Sequence, residues 1–203
     1  MTEFFATLQN TQAPVKDVRE FLRASGRLDL LLHVAQVNAA GRRLARRLAP
    51  GLDLAAVDLA CTAHDLAGVV PGRRHQAEAE ALSLPLSEAD RAIPAVLHGR
   101  IGAELLRRRL GVTDETILNA VRYHTTLRAG AAWLEQVVFI ADKIALDPAS
   151  RHTGFLPELR AAQATAPLAE LCLIYLAWVV REGPGLGWRV HPHVYAAWDE
   201  LRR

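Results

Sequence analysis

An aspartate lies at the centre of the apolar segment 137–146, V-V-F-I-A-D-K-I-A-L, and constrains the fold more than any other feature of the chain. The length and composition of this segment predict a helix that is buried on nearly every side. A buried carboxylate has a large desolvation cost unless a metal ion, an arginine or a helix end compensates it. Asp142 therefore needs a partner in the folded chain. An arginine is one candidate, because the chain has 24 Lys and Arg and only Lys16 and Lys143 are lysines.

Candidate partners recur on the inward faces of the other predicted helices. They are His33, the adjacent pair His64 and Asp65, His98 and His124. Spacing of three and four residues places these side chains among apolar neighbours. A single inward histidine is more often a core residue than a ligand, and a lone His-Asp pair is common by chance. The whole series, in the order His, His-Asp, His, His, Asp, is explained better by one shared ligand than by separate core roles.

A divalent cation is the ligand that suits this series. The helices of a bundle can each deliver one side chain to a common interior point. Mixed imidazole and carboxylate ligands favour Fe, Mn, Zn or Co over Mg or Ca. Such a cation lowers the pKa of bound water and so supplies a nucleophile at neutral pH. Three other histidines lack an inward helical setting, and we interpret His75 and His193 as surface residues and leave His152 open.

The pattern along the chain predicts an all-α, single-domain helical bundle of about eight to ten helices, because no stretch alternates as a strand would. Residues 1–13 are predicted as a loosely held N-terminal arm and residues 14–203 as the helical domain. The longer helices are predicted at 15–24, 27–49, 53–64, 95–110, 131–146, 156–165 and 167–182, with one more that Thr113 caps and a last one from Pro192. A weaker pattern at 68–94 predicts short helices around a surface excursion.

Charge, cysteines and hydropathy exclude several classes of partner. A net charge of +2 without a basic block argues against a nucleic-acid surface. Cys61 and Cys172 lie in apolar runs, which predicts buried thiols in a reducing compartment. The longest apolar run, 171–180, is shorter than the roughly 20 residues that span a bilayer. With no signal-peptide pattern at the N-terminus, we expect a cytoplasmic protein without a membrane partner.

Three longer segments, taken with the His-Asp pair, resemble a known family. They are L-H-G-R-I-G-A-E-L-L at 97–106, I-L-N-A-V-R-Y-H-T-T at 117–126 and L-E-Q-V-V-F-I-A-D-K-I at 134–144. With R-V-H-P-H at 189–193, they resemble the HD-domain metal-dependent phosphohydrolases, and most of all the YqeK-type symmetrical bis(5'-nucleosyl)-tetraphosphatases. The similarity extends over residues 32–195. It implies a helical bundle of the HD-domain type that hydrolyses a nucleotide phosphoanhydride, cleaving diadenosine tetraphosphate to two ADP.

The resemblance also implies roles for individual residues. It implies a divalent transition metal, iron first with Mn, Co or Zn as alternatives, on His33, His64, Asp65 and Asp142. It implies catalytic roles for Asp65, His98, His124 and Lys143. It implies contacts to a nucleotide or dinucleoside polyphosphate from His98, His124, Thr125, Asp142, Arg151 and His191, with the loop 187–192 near the base and ribose. In a dinuclear variant, His98 and His124 would hold a second metal.

Two positions depart from the family pattern, and both remove positive charge from the phosphate side of the site. Gly68 stands where a lysine is usual three residues after the His-Asp pair, and Leu30 stands where a basic residue is usual three before the first histidine. Arg73, Arg100 or Arg122 could replace them. Two alternatives therefore stay open: a nucleotidase or alarmone hydrolase of the same superfamily, and a weakly active nucleotide-sensing module. A homodimer is a further option.

Overall fold

The computed structural model describes residues 3–150 and 152–203, and within them every regular element is helical. The α-helices are α1 Pro14–Ala24, α2 Leu28–Leu48, α3 Leu54–Ala63, α4 His75–Ala81, α5 Glu88–Ala92, α6 Leu97–Leu110, α7 Glu115–Arg122, α8 Trp133–Ile144, α9 Leu156–Ala162, α10 Leu168–Glu182 and α11 Pro192–Leu201. The predicted all-α class is confirmed. The described residues form more helices than the eight to ten expected, because the segment 68–94 folds into two separate short helices, α4 and α5.

Short polar side chains and one glycine set the helix ends that frame the interior. Asp53 caps α3 by accepting a backbone N–H at 2.9 Å. The cap of α7 is Asp114, which accepts the N–H of Thr116 at 2.8 Å, so the prediction of Thr113 is wrong by one residue. The carboxylate lies directly before the first helical residue and therefore reaches the free N–H groups of the first turn. At the C-terminal end of α6, Gly111 adopts a left-handed conformation with φ of 69°.

Helix α8 lies in the middle of the bundle, where it packs against α2, α3, α7 and α10. Its residues 137–141 have no exposed surface. Each such side chain contributes about 1.5–3 kcal/mol when it leaves water, so this one segment supplies a large part of the core. Asp142 and Lys143 follow directly and are buried as well, as the sequence predicted for the carboxylate.

The N-terminal stretch is packed against the bundle rather than loosely held. Phe5 and Leu8 are buried, and the Phe5 ring lies 6.1 Å from the ring of Phe21 in α1. The Asp17 carboxylate accepts hydrogen bonds of 3.0 and 2.6 Å from the backbone and hydroxyl of Thr11. Two apolar anchors that sequence spacing did not reveal therefore correct the expectation of a loose arm, while the domain boundary at residue 13 stays a prediction.

Helices α2 and α3 pack closely because their contact face lacks bulk and carries a polar brace. A Cβ atom on Gly41 would lie 2.5 Å from the Sγ atom of Cys61, so a larger residue would separate the helices. The buried Asn38 amide donates to the backbone oxygen of Asp58 at 3.2 Å and to the Thr62 hydroxyl at 3.4 Å. This packing brings the inward face of α2 to the C-terminal end of α3.

None of the helices described at 3–150 and 152–203 is by itself long and apolar enough to cross a membrane. One bent run, Leu54–Val69 with Gly72–Ala81, reaches the required length only when two parts that meet at 84° are added together. The longest apolar stretch of the sequence lies within α10, which has 15 residues.

Helix α6 approaches the end of α7 at Gly99. A Cβ atom at this position would lie 2.8 and 2.9 Å from the carbonyl oxygens of Val121 and Arg122, and 3.1 Å from Nδ1 of His124. The first two neighbours are backbone atoms, which cannot move aside without shifting α7. The absent side chain at Gly99 therefore lets α6 and the turn after α7 meet.

We expect Gly99→Ala to lower the free energy of unfolding by about 1–3 kcal/mol, the usual cost of overpacking a core. The matched control is Gly102→Ala in the same helix, where the added Cβ would meet Val121 at an ordinary 3.4 Å. That control is expected to be neutral or stabilising by about 0.5–1 kcal/mol. Denaturant unfolding of both variants measures the difference, and equal stabilities would contradict the close approach.

Candidate metal centre

Six side chains from five parts of the fold point into one interior space, and we call them the converging set. They are His33, His64, Asp65, His98, His124 and Asp142. His33 lies in α2, His98 in the first turn of α6 and Asp142 near the end of α8. His64 and Asp65 follow α3, so the His-Asp pair faces inward from a helix end. His124 was expected on a helix face, but α7 ends at Arg122 and the imidazole enters from the turn that follows.

The nitrogen and oxygen atoms of the converging set lie within hydrogen-bonding distance of one another. Nε2 of His33 is 3.1 Å from Oδ1 of Asp142 and 3.3 Å from Nε2 of His64. Nε2 of His98 is 3.2 Å from Oδ1 of Asp65 and 2.9 Å from Nε2 of His124. Three overlapping groups result, each with its possible ligand atoms within 4.8 Å of one another: His33, His64 and Asp65; His64, His124 and Asp142; Asp65, His98 and His124.

The outer nitrogen of three imidazoles fixes which ring atom faces inward. The Nδ1 atoms of His64, His98 and His124 lie 2.9, 2.6 and 2.8 Å from the carbonyl oxygen three residues earlier in the chain. A carbonyl only accepts, so Nδ1 carries the hydrogen and donates it. The neutral rings then present their Nε2 lone pairs to one another, which is unfavourable unless a cation lies between them. This arrangement fits a metal site, in which the second ring nitrogen is usually held in this way.

The two carboxylates of the converging set are ionised at neutral pH. Burial raises the pKa of Asp65, but His64 and His98 lower it by more. Burial likewise raises the pKa of Asp142, and Lys143 and His33 bring it well below the usual value. Two carboxylates therefore face the interior space, where they can balance part of the charge of a divalent cation.

The histidines differ in their affinity for protons. Burial lowers the pKa of His64, but Asp65 and Asp142 raise it by more, and the net shift is upward. For His98, burial is likewise outweighed by the hydrogen bond to Asp65. The pKa of His124 falls well below its usual value, because it is buried beside His98 and His64. Without metal, protons on His64 and His98 thus take the place of a cation.

The charged partner of Asp142 is its sequence neighbour Lys143 rather than an arginine. The buried ammonium lies 2.5 Å from Oδ2 of Asp142 and 3.2 Å from the carbonyl oxygen of His124. Rings of Phe139 and Tyr175, both 5.2 Å away, cover it. Asp142 thus divides its oxygens, with Oδ2 on Lys143 and Oδ1 on His33. The catalytic role expected for Lys143 stays a prediction, since these contacts all go to protein groups.

Of the predicted substrate residues that are not in the converging set, two line a cavity and one lies outside the described residues. The Thr125 hydroxyl is 3.2 Å from Nε2 of His124, and Thr125 lines a cavity of about 580 Å³. His191 lines the same cavity and caps α11, where its Nδ1 accepts the N–H of His193 at 3.2 Å. Arg151 lies outside the described residues.

Sequence reasoning misplaced His75 and His193, which are not surface residues. His75 is buried, with Nδ1 3.3 Å from the oxygen of Pro94 and Nε2 3.1 Å from that of Val70. Its ring lies 5.8 Å from that of His98. His193 is half-buried, with its ring 5.3 Å from that of Tyr123. The spacing of residues in the sequence could not predict these contacts, because the groups that bury both rings come from distant segments.

The two departures from the family pattern touch each other in space. A Cβ atom on Gly68 would lie 3.1 Å from Cδ1 of Leu30, so the leucine occupies the space beside the missing side chain. Arg27 donates to the Gly68 carbonyl oxygen at 2.6 Å, but its other contacts go to Asp29 at 2.9 and 2.7 Å. Arg100 is bound to Asp90 at 2.5 Å. Of the three proposed replacements, Arg100 is therefore committed to a carboxylate.

Comparison with known families gives a clear match. The sequence profile of the family described as HD domain matches residues 30–147, which is more than half of the chain. This span contains every residue of the converging set.

Individual relatives and one solved structure are similar to the chain over half of its length or more. An uncharacterized protein in the pepC 5' region of Lactococcus lactis subsp. cremoris is 32% identical over 141 residues, which cover 68% of each chain. The symmetrical bis(5'-nucleosyl)-tetraphosphatase of Bacillus subtilis is 34% identical over 113 residues, which cover 56% of this chain but only 59% of that one. A crystal structure from Clostridium acetobutylicum, described as a predicted HD superfamily hydrolase involved in NAD metabolism, superimposes with a TM-score of 0.81 at 26% identity, covering 92% and 96% of the two chains.

We expect Asp142→Ala to abolish metal binding, because it removes a carboxylate oxygen from the converging set. It also leaves the Lys143 ammonium buried and unpaired, which should lower the free energy of unfolding by about 3–5 kcal/mol. Elemental analysis of the purified variant and denaturant unfolding measure the two effects.

The control for this substitution is the double variant Asp142→Asn with Lys143→Met, which removes both charges of the pair. It should recover much of the stability but not the metal. An Asp142→Ala protein that is destabilised yet keeps a full complement of metal would show that Asp142 serves only its ion pair.

The pKa shifts of His64 and His98 predict how metal affinity depends on pH. Both pKa values are raised, so the metal-free site holds protons that a cation must displace. Apparent affinity should therefore increase as pH rises through the raised values, by up to about tenfold per pH unit for each displaced proton. The stability that these protons give the metal-free protein should fall over the same range. Calorimetry in buffers of different ionisation enthalpy detects the released protons, and binding without proton release would contradict the assignment.

Proposed function

The chain belongs to the HD domain family, and on that premise we propose that it is a metal-dependent phosphohydrolase that cleaves diadenosine tetraphosphate symmetrically to two ADP. The observation that supports this most is the converging set, in which imidazole Nε2 atoms and two ionised carboxylates face one buried space. The name of the Bacillus subtilis relative supports the substrate. The aligned part of that relative is 59% of its length, so the substrate rests on a partial match.

His33, His64, Asp65 and Asp142 are the residues we propose to hold the metal. Imidazole and carboxylate side chains form three overlapping sets of three residues, and within each set the possible ligand atoms lie within 4.8 Å of one another. This donor chemistry suits iron, manganese, cobalt or zinc. When bound, the cation supplies Lewis acidity that lowers the pKa of water. His98 and His124, which share Asp65 with the first group, then face the phosphate chain or hold a second cation.

The residues of this chain supply proton control at the reaction centre. Asp65 is ionised and lies 3.2 Å from Nε2 of His98, so its carboxylate can accept a hydrogen bond from a water molecule and orient it. Nε2 of His98 faces the same space, and when it carries a proton it can donate to a phosphoryl oxygen. Lys143 supports this arrangement from behind by fixing Asp142.

The cavity of about 580 Å³ beside Thr125 suits one nucleoside of the substrate, and we call it the inner cavity. Its walls are mostly apolar and include Ile93, Val96 and the loop 187–191. The Tyr175 hydroxyl lines it and has no hydrogen-bond partner among residues 3–150 and 152–203. An apolar cavity with a few free polar groups is the usual form of a small-molecule site.

A second candidate function is hydrolysis of another nucleotide phosphoanhydride by the same chemistry. Gly68 and Leu30 favour it, because they place apolar surface where phosphate-binding charge is usual. The description of the Clostridium acetobutylicum protein as involved in NAD metabolism adds to this alternative. In either case, the buried thiols of Cys61 and Cys172 support a reducing compartment such as the cytoplasm.

The test is product analysis with a panel of nucleotides after the metal content has been measured. We expect diadenosine tetraphosphate to give ADP alone, with the rate lost in Asp65→Asn because that variant lacks the carboxylate that we propose binds the metal and orients water. AMP together with ATP would reject symmetrical cleavage. Faster hydrolysis of a different nucleotide would favour the second candidate, and bound nucleotide without turnover would favour a sensing module.

A further inference from the structure

A second and larger cavity, of about 910 Å³, lies beside the inner cavity, and we call it the outer cavity. The two share a wall that includes Val96, Thr126 and the loop residues Arg189 and His191. The outer cavity is otherwise bounded by the segment 85–93 and by the turn after α7. The two spaces are therefore neighbours across a single wall.

Apart from the acidic Glu88, three polar side chains of the outer cavity have no hydrogen-bond partner in the part of the chain that the structure describes. They are the Tyr123 hydroxyl, the His193 imidazole and the Arg189 guanidinium. The Tyr123 ring is held in place between the His193 ring at 5.3 Å and the Arg128 guanidinium at 5.2 Å. Arg100 also lines the cavity, but its guanidinium already donates hydrogen bonds of 2.5 Å to the Asp90 carboxylate and to the Pro85 carbonyl oxygen.

These groups combine the features that a phosphorylated nucleoside needs. A guanidinium without a partner matches phosphate oxygens, while hydroxyl and imidazole groups can bond a ribose or a base edge. Leu86, Ile93 and Pro192 give the cavity an apolar surface for a base. Arg189 lies in the shared wall, so a polyphosphate that crosses from one cavity to the other would pass it.

We propose that the outer cavity binds the second nucleoside of a dinucleoside polyphosphate, while the inner cavity holds the first. This rests on the proposed function for the identity of the substrate. It adds that both nucleosides are recognised by the same chain, with Arg189 on the phosphate path between them and with Tyr123 and His193 as residues specific to the second half.

Substitutions that touch one cavity at a time test this division. Tyr123→Phe removes a hydroxyl but keeps the ring, and His193→Gln replaces the imidazole by a polar group of similar size. Both residues line only the outer cavity, whereas Tyr175→Phe changes only the inner one. Arg181→Gln serves as a surface control, because Arg181 is exposed and paired with Glu182. Thermal unfolding of each variant checks that it is folded.

The substrates to compare are diadenosine tetraphosphate and adenosine 5'-tetraphosphate, which has the phosphate chain but one nucleoside. We expect Tyr123→Phe and His193→Gln to raise KM for the first about fivefold, the effect of one lost hydrogen bond, and to leave KM or Ki for the second unchanged. Tyr175→Phe should weaken both. Equal effects on the two compounds, or none on either, would overturn the proposal.

Equilibrium binding separates this proposal from the proposed function. Calorimetric titration with ADP should give two molecules per chain in the unaltered protein, and His193→Gln should weaken one of the two sites about fivefold and leave the other unchanged, whether or not the protein hydrolyses any nucleotide tested. Two sites without hydrolysis would reject the enzyme assignment and keep the outer cavity as a nucleotide site. A single site, or none, in a protein that hydrolyses diadenosine tetraphosphate would reject the outer cavity alone.

Discussion

The mutual repulsion of imidazole lone pairs is the interaction on which the rest of this site depends. Backbone carbonyl oxygens hold the Nδ1–H groups of His64, His98 and His124, so their Nε2 atoms must face one another. Nε2 atoms as close as 2.9 Å need a positive charge between them. Metal or protons can supply it, and the carboxylates of Asp65 and Asp142 favour either. Folding and cation binding are therefore linked, because only the folded chain brings these Nε2 atoms close together.

Helix α8 places one of these two carboxylates, Asp142, in the core of the bundle. Asp142 gives one oxygen to His33 and the other to Lys143, and the lysine in turn is covered by the rings of Phe139 and Tyr175. The converging set and these two aromatic rings thus contact the same ion pair, Asp142 with Lys143. Since Tyr175 also lines the inner cavity, a nucleoside there would contact the residue that packs against the partner of Asp142. A nucleoside in the inner cavity would thus be linked to Asp142 through Tyr175 and Lys143.

The sequence predicted the all-α class and the buried Asp142 because both follow from local pattern and desolvation. It could not predict the partner of that carboxylate. Adjacent residues on a helix do not face each other, so an arginine from another helix was the natural candidate, yet the long Lys143 side chain bends back to its neighbour. His75 was missed for a related reason, because two carbonyl oxygens from separate loops bury it. Contacts that depend on flexible side chains or irregular backbone leave no periodic signal.

The Lys and Arg side chains near the proposed site differ in whether a carboxylate already pairs with them, and this difference bears on which nucleotides could bind. Near the converging set, Lys143 is held by Asp142 and Arg27 by Asp29, while Gly68 offers no charge. Phosphate oxygens gain little from cations whose charge a carboxylate already balances. Arg189, in the wall between the two cavities, has no such partner in the described residues. Binding energy from groups remote from the reacting bond can lower the barrier only for a substrate long enough to reach them. A compound too short to reach Arg189 would lack that energy.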